Sequence, residues 1–280
     1  MKNKRHYVLV LAMLVLTLIV SACGSKDENA NNGTNTGAGT TEETASASLL
    51  DTIKKNGKIR IGTEGTYAPF TYHDQSGELT GFDVELAREV AKRLGVEAEF
   101  IETKWDGMFA GLDAKRFDMV ANEVSINDER KAKYDFSNSY IVSKAVLIVN
   151  EATTDINSLA DLKGKKSGQS LTSNLGEIAK ANGAEIVEIE GFNQAIELLL
   201  SKRIDATIND SLSFLDFKKQ KPDAAIKVVA ETDDASESAF LFNKGDEELV
   251  NAVNDVLQAM KDDGTYLTIS EKYFGEDVSK

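Results

Sequence analysis

Residues 58–95 read KIRIGTEGTYAPFTYHDQSGELTGFDVELAREVAKRLG, and this stretch joins a short strand-like run to a helix-like run. The first six residues are typical of a β-strand. Apolar side chains in the second half recur at every fourth position, at Phe82, Leu86 and Val90, which is the spacing of one helix face. A strand followed directly by a helix is the repeating unit of α/β proteins.

The same alternation continues to the end of the chain, and the cycle starts again after residue 164. Two such cycles in about 230 residues predict an α/β fold with mainly parallel sheets, divided into two lobes. The further predicted elements are strands at 97–102, 118–121, 145–149, 165–170, 185–189, 206–208 and 239–243, and helices at 105–112, 175–181, 192–200, 247–262 and 266–274.

Composition narrows the possible functions. The 280 residues include 32 Lys+Arg and 46 Asp+Glu, which gives a formal net charge of -14. Binding to nucleic acid relies on clustered basic residues, so this acidic balance argues against a nucleic-acid partner. The chain is 41% hydrophobic and can therefore build a core. It has one cysteine, which excludes a disulfide within the chain.

The first 23 residues are predicted to direct export rather than to fold. Basic residues precede an apolar run at residues 8–20, which is too short to span a membrane but suits a signal peptide. Residues 20–23 then read VSAC, which resembles the lipobox of bacterial lipoproteins. The resemblance implies a signal peptide at 1–22 and a lipid on Cys23. An ordinary secretory signal with an incidental cysteine is the alternative.

Residues 23–48 are predicted to form a lipidated flexible tether. Gly, Asn, Thr, Ser and Ala dominate this segment after its first residue, and no large apolar side chain occurs there. Such a segment cannot bury enough surface to offset its ordering entropy. Removal of residues 1–22 would take away three basic residues and no acidic one, so the net charge would become -17.

Several short motifs occur along the chain. They are GTEGTYAPF at 62–70, GFDVELA at 81–87, DER at 128–130, YDFS at 134–137, DA at 205–206 with Asp210, DGT at 263–265 and YFG at 273–275. These motifs resemble, in the expected order, those of the polar amino-acid-binding proteins of ABC importers, and they cover nearly everything from residue 50 to residue 278. Three further stretches are ETKWDGM at 102–108, SLTSN at 170–174 and GEDVSK at 275–280. Within that family they are similar to the L-cystine-binding lipoproteins of Gram-positive bacteria.

The resemblance implies a two-lobed periplasmic-binding-protein fold with two crossover hinge segments. Lobe 1 would comprise residues 49–143 and 240–280, and lobe 2 residues 144–239. The function implied is that of a monomeric extracytoplasmic solute-binding lipoprotein. It would capture a free amino acid, L-cystine by the resemblance, through lobe closure and deliver it to a permease with a cytoplasmic ATPase.

A free amino acid is a zwitterion, so its site must meet a carboxylate and an ammonium group. Arg130 offers a planar two-pronged donor, and the resemblance places the family's carboxylate-binding arginine there. Asp210 follows an apolar strand, where α/β sheets present ligands, and matches the ammonium partner. The alternative roles without a ligand are a surface arginine for Arg130 and a helix N-cap for Asp210.

Four residues near these two are expected to assist. Ser125 would add a hydroxyl or main-chain contact, although a serine there could equally cap a helix. Ser173 and Asn174 precede a predicted helix, so their amides can meet a carboxylate. Thr172 is expected to support them.

The ligand's side chain would meet a second set of residues. Tyr67 and Trp105 match family positions whose rings clamp the ligand, although a buried core role for Trp105 is an alternative. Phe70 suits the core as well as the pocket wall. Glu64 and Glu123 match positions at the end of the ligand's side chain. Because an amide-type residue is expected at position 123 in cystine binders, Glu123 leaves two readings open: contact with the second ammonium of cystine, or a cationic ligand.

Two other functional classes remain open on the sequence. A cyclic-acid dehydratase shares this fold and would need a general base, for which Glu123 is the only plausible candidate. A ligand sensor or adhesin without transport is the other. No P-loop, G-x-G-x-x-G motif or Cys/His metal spacing occurs, so we expect no enzyme activity, no cofactor and no metal.

Overall fold

The computed structural model describes residues 47–280. The predicted signal peptide, Cys23 and almost all of the predicted tether lie outside these residues. Within residues 47–280, no helix is both long enough and apolar enough to cross a membrane.

The first sheet has six strands in the order β5-β1-β6-β14-β7, and β8 also pairs with β14. Residues from both halves of the chain build it, because β14 returns from the C-terminal half to lie between β6 and β7. The strands are β1 (Lys58–Thr63), β5 (Glu97–Glu102), β6 (Met119–Ser125), β7 (Tyr134–Phe136), β8 (Ile141–Ser143) and β14 (Ser236–Asn243).

The second sheet has five strands in the order β11-β10-β12-β9-β13. A third, small sheet precedes α2 and has the order β2-β3-β4. The strands of the second sheet are β9 (Ala145–Asn150), β10 (Lys166–Gln169), β11 (Glu185–Glu188), β12 (Ala206–Asp210) and β13 (Ile226–Glu231); those of the small sheet are β2 (Thr66–Tyr67), β3 (Thr71–His73) and β4 (Leu79–Thr80).

Helices follow most strands, as the alternation of the sequence predicts. A 3₁₀ helix at Leu159–Leu162 lies between β9 and β10. The α-helices of the described chain are α1 (Leu49–Asn56), α2 (Phe82–Leu94), α3 (Trp105–Asp113), α4 (Asp128–Lys133), α5 (Asn174–Ala181), α6 (Phe192–Leu200), α7 (Ser211–Gln220), α8 (Glu247–Asp262) and α9 (Thr265–Phe274).

The α/β class and the two-lobed arrangement are confirmed, but the prediction of mainly parallel sheets is wrong. The pairs β1–β5, β1–β6, β10–β11 and β10–β12 are parallel. The pairs made by β9 and β14 are all antiparallel. The chain crosses between the two sheets just before β9 and again just before β14. Each of these strands therefore enters its sheet antiparallel to its neighbours.

Each sheet has its own hydrophobic cores, which define two lobes. In lobe 1, Phe82 and Leu86 of α2 pack with Leu249 and Val253 of α8. The C-terminal helices therefore belong to lobe 1, although they follow lobe 2 in the chain. The lobe boundaries at residues 143/144 and 239/240 stay predictions.

One irregularity in β6 shapes the cleft between the lobes. The pairing of β6 with β14 runs through Val124↔Ala239 and resumes at Val120↔Leu241, so three residues of β6 face one residue of β14. Within this bulge Glu123 has a φ of 50°, in the left-handed region. Bulges redirect side chains and are common next to binding sites.

Candidate functional site

A cavity of about 500 Å³ lies between the two lobes. It lies where β1, β6 and β12 end, at the carboxyl edges of both sheets, which is where α/β proteins bind ligands. Its volume is within the usual range for small-molecule sites. The sequence-predicted residues among its lining are Glu64, Tyr67, Trp105, Glu123, Ser125, Ser173, Asn174 and Asp210.

Arg130 lies against this lining and is buried, with 7% of its surface exposed. Its guanidinium donates through Nη1 to the carbonyl oxygen of Ser125 at 2.8 Å, and through Nη2 to Oδ1 of Asn174 at 3.4 Å. The same group lies over the rings of Trp105 and Phe109, 5.3 and 5.2 Å from their centroids. These contacts fix the orientation of a buried cation, which is the requirement for recognising a carboxylate.

Asp210 lies on the other lobe, at the end of β12. It is buried and caps α7, because its Oδ1 accepts from the backbone N–H of Leu212 at 2.8 Å. The hydroxyl of Ser143 donates to its second oxygen. The capping role and the cavity position therefore coincide in one carboxyl group. Burial raises the pKa of Asp210 to about 6.

Glu123 is the second buried carboxyl group of the cavity. Its Oε1 accepts from Ser238 Oγ at 2.7 Å, and its Oε2 lies 3.4 Å from the hydroxyl of Tyr67. Burial, with the nearby charge of Asp210, raises the pKa of Glu123 well above its usual value. A cationic group of a ligand would act against both causes, because a nearby positive charge favours the ionised carboxylate.

Glu64 is the third acid of the cavity, at the end of β1. Asn122 holds it at two points: Oδ1 of Asn122 accepts from the Glu64 amide at 2.8 Å, and Nδ2 donates to Glu64 Oε2 at 2.7 Å. Burial raises the pKa of Glu64 to about 7. Glu123 and Asp210 are therefore two buried carboxyls of the cavity and Glu64 is a partly buried third, while the buried guanidinium of Arg130 lies against the lining.

The structure uses Ser125, Ser173 and Asn174 in different ways. Ser173 caps α5, since its hydroxyl accepts from the amide of Gly176 at 2.9 Å. Asn174 spans the cleft and donates to Ser125 Oγ at 3.3 Å. The cap of α4 is Asn127 rather than Ser125, so the hydroxyl of Ser125 is not used as a cap.

Two predicted residues lie elsewhere. Phe70 is completely buried in the lobe-1 core, where its ring packs against those of Tyr67 and Phe274. Thr172 is exposed and bridges the lobes instead: its amide and hydroxyl donate to Asp106 Oδ1 at 3.1 and 2.7 Å. Neither is part of the cavity lining.

Further contacts also join the lobes. Ser213 Oγ donates to the carbonyl of Ala68 at 3.2 Å, and Lys104 forms an ion pair with Glu190. The lobes are therefore in direct contact across the cleft.

The sequence did not single out several lining residues. Asn122 and Asn209 directly precede the predicted site residues 123 and 210. Their position next to those residues is the one sequence feature that could have identified them as lining residues. The Tyr67 hydroxyl donates to Asn209 Oδ1 at 3.1 Å, which links the lobes. The remaining lining residues come from the lobe-2 wall and from the loop before β14, namely Ala145, Leu159, Gln169, Ser170, Leu175, Ile178, Ile189, Gly191, Phe192, Thr207, Thr232, Asp233, Asp234, Ala235 and Ser236.

The buried carboxyls predict how the stability of the ligand-free protein depends on pH. Burial raises the pKa of Asp210 from 3.8 to about 6 and that of Glu64 from 4.5 to about 7. A carboxyl with a raised folded-state pKa contributes stability below about pH 4 and loses it as the pH rises through 6–7. The pKa values of Asp263 and Asp277 are lowered to about 2, so their effect falls below this window.

We therefore expect the unfolding free energy of the ligand-free protein to fall by at least about 1.4 kcal/mol between pH 5 and pH 8, the value of one pH unit for one group. Urea denaturation of residues 47–280 at both pH values measures it. The variant Asp210→Asn should show a smaller fall. An unfolding free energy that is constant or rises over this range would contradict the burial of these acids.

The comparisons with known proteins agree with this geometry. Residues 59–276 match the family described as bacterial extracellular solute-binding proteins, family 3. The chain belongs to this family. Its match covers both lobes and all the residues of the cavity.

Three similar proteins indicate where in the family the chain lies. The L-cystine-binding protein TcyA of Bacillus subtilis (strain 168) is 45% identical over 273 residues, which cover 97% of this chain and 98% of that protein. The L-cystine solute receptor of Neisseria gonorrhoeae, in its unliganded open conformation, is 48% identical with a TM-score of 0.56, covering 84% of this chain and 100% of that one.

An ancestral arginine-binding protein bound to arginine is 38% identical with a TM-score of 0.74, covering 78% of this chain and 98% of that one. This family member therefore superposes better on a ligand-bound relative than on an open one that is more similar in sequence. The contacts across the cleft are consistent with that result.

Proposed function

We propose that this chain is the extracytoplasmic solute-binding component of an ABC importer and that it captures L-cystine between its lobes. Arg130 meets an α-carboxylate, and Asp210 meets an α-ammonium group. Lobe closure then presents the loaded form to a permease, whose cytoplasmic ATPase supplies the energy. The ligand favours the closed state because only that state satisfies both of its charges.

One observation carries this proposal: a buried carboxyl of one lobe lines the cavity, and a buried guanidinium of the other lobe packs directly against three lining residues, Ser125, Asn174 and Trp105. A buried charge without a partner is costly, so each of these groups favours a ligand of opposite charge. A zwitterion supplies both charges at once. The relatives named above are binding proteins, and we propose no catalytic role for this chain.

The excess of acid in the cavity supports a ligand with two ammonium groups. Asp210 accounts for one of them. Glu123 lies close enough to Asp210 for the charge of Asp210 to raise its pKa, and we propose that it meets the second ammonium of L-cystine. The cystine-binding relatives named above favour this ligand over a cationic amino acid.

We also propose that Cys23 carries the lipid that anchors the protein to the extracytoplasmic face of the cell membrane after removal of residues 1–22, and that the protein acts as a monomer. Two or three acyl chains hold a protein stably at a bilayer, because each buried CH₂ adds about 0.8 kcal/mol. Residues 23–48 would then separate the lobes from the membrane.

A ligand screen with a matched variant tests the substrate assignment. Wild-type protein and Glu123→Gln are titrated calorimetrically with L-cystine, L-cysteine, L-glutamine, L-histidine, L-arginine and diaminopimelate. We expect L-cystine to bind the wild type, and Glu123→Gln to weaken it roughly 10- to 100-fold, the value of a charged hydrogen bond. The exposed Glu185→Gln serves as the control and should leave the affinity unchanged.

The outcomes separate the parts of the proposal. Binding of arginine but not cystine would overturn the cystine assignment. Equal cystine affinity in the wild type and Glu123→Gln would overturn the role of Glu123. Failure of every amino acid to bind would overturn the proposed function.

A further inference from the structure

The backbone of Glu123 is held in an unfavourable conformation by a residue outside the cavity lining. A φ of 50° is uncommon for a side chain larger than glycine, because its Cβ crowds the adjacent carbonyl. The bulge in β6 also removes Glu123 from the regular pairing with β14. Its amide therefore needs another acceptor, since a buried N–H without one is costly.

Asp83, near the start of α2, supplies that acceptor. The amide of Glu123 donates to Asp83 Oδ1 at 2.7 Å, and the hydroxyl of Tyr140 donates to the same oxygen at 2.6 Å. Asp83 is completely buried, and its Oδ2 has no hydrogen-bond partner among the described residues. Burial of this carboxyl group costs free energy, yet only its Oδ1 accepts hydrogen bonds, one of them from the bulged residue Glu123.

The contact between Asp83 and the Glu123 amide affects the cavity through one residue, Glu123 itself. The amide that Asp83 holds belongs to Glu123, and the carboxyl of Glu123 is fixed at its far end by Ser238 Oγ at 2.7 Å. Fixing the backbone at one end and Oε1 at the other leaves Oε2 beside Tyr67 in the cavity. Without the first contact, the bulge could relax toward regular pairing, which would turn the side chain away from the cavity.

We propose that Asp83 is a positioning residue for ligand binding, which holds the left-handed backbone of Glu123 so that its carboxylate faces the ligand. The step from positioning to affinity rests on the proposed function, because it requires Glu123 to meet a ligand ammonium. Asp83 itself touches no ligand.

Three variants separate positioning from general stability, and a fourth is held in reserve. Asp83→Ala removes the acceptor, whereas Asp83→Asn keeps an oxygen at the same place without the charge. Tyr140→Phe removes the other donor to the same oxygen and leaves the Glu123 amide alone. Asp83→Leu fills the space of the carboxyl without an acceptor and replaces Asp83→Ala if that variant does not fold.

The first measurement uses no ligand. Amide hydrogen exchange, followed by NMR, should be at least 10-fold faster at Glu123 in Asp83→Ala than in the wild type, relative to the change at Val120. It should be unchanged at Glu123 in Asp83→Asn and in Tyr140→Phe. Unchanged protection of Glu123 in Asp83→Ala would overturn the proposal, whatever the protein binds.

The second measurement is a double-mutant cycle with L-cystine, and with L-arginine as a second probe. Asp83→Ala should weaken binding roughly 10-fold in the wild type and less than twofold in the Glu123→Gln background, because both changes act through one side chain. Asp83→Asn should retain affinity within threefold. Additive effects would show that Asp83 acts on binding by a route other than the Glu123 side chain and would overturn the proposal.

Failure of the proposed function gives a different result. In that case the wild type would not bind L-cystine, while the exchange measurement would still decide whether Asp83 holds the backbone of Glu123.

Discussion

Replacing Arg130 by alanine is expected to abolish amino-acid binding, with a loss in affinity of roughly 1,000-fold or more. Truncating one member of a buried charged pair costs about 2–5 kcal/mol or more, since the other charge stays buried without a partner. Here the charge left alone would be the ligand's carboxylate. The alternative hydrogen-bond donors nearby belong to Ser125 and Asn174, which carry no charge.

The same substitution should leave the ligand-free protein folded. Burial lowers the pKa of Arg130 to about 10, so free energy is spent in keeping this group charged inside the protein. Its loss removes that cost together with the contacts to Trp105 and Phe109. We expect the melting temperature without ligand to change by only a few degrees.

Isothermal titration of wild-type protein, Arg130→Ala and Arg130→Lys with L-cystine measures the effect. Lysine keeps the charge but not the two-pronged geometry, so it should recover only part of the affinity. Arg116→Ala is the matched control, because Arg116 is an exposed arginine of the same lobe. An Arg130→Ala variant that binds as tightly as the wild type would refute the site.

Replacing Asp210 by asparagine is expected to weaken binding roughly 100-fold while leaving α7 intact. Asparagine caps helices as well as aspartate does, so it can still accept from the amide of Leu212. The substitution therefore removes the charge and little else. The ammonium group of the ligand would then meet a neutral amide, and it would keep only part of a charge-assisted hydrogen bond.

Titration at pH 7.5 with L-cystine, beside the exposed control Asp223→Asn, measures this loss. Circular dichroism and the melting temperature confirm that the helix is retained. A loss in affinity below threefold, in a folded Asp210→Asn variant, would show that the ammonium partner is another acid of the cavity.

The strongly periodic elements of the fold could be predicted from the sequence. The bounds of α2 and α8 agree with their apolar repeats at residues 82–94 and 247–262. Short strands such as β7 and β8 were not predicted, because three residues carry too little pattern to be distinguished from a loop. The antiparallel direction of β9 and β14 could not be predicted from the local sequence pattern either, because it depends on how distant segments pair.

Part of the site followed from residue chemistry, and part did not. The charges of Arg130 and Asp210 suit a zwitterion wherever the fold brings them together. The burial of Phe70 and the exposure of Thr172 depend on packing that no local motif reveals. Nor does a motif show that Glu123 lies in a bulge, because the irregularity arises from the pairing of β6 with a strand more than 100 residues later.

The bridge between Asp106 and Thr172 separates the strength of binding from the choice of ligand. It joins the lobes outside the cavity, so it adds the same increment to closure for every compound that the cavity accepts. Apparent affinity scales with the fraction of molecules in the binding-competent form. The bridge raises that fraction without contacting the ligand. In a biosensor built on this protein, a substitution at Asp106 would therefore shift the working concentration range. The ligand selectivity, which the acids of the cavity determine, would stay the same.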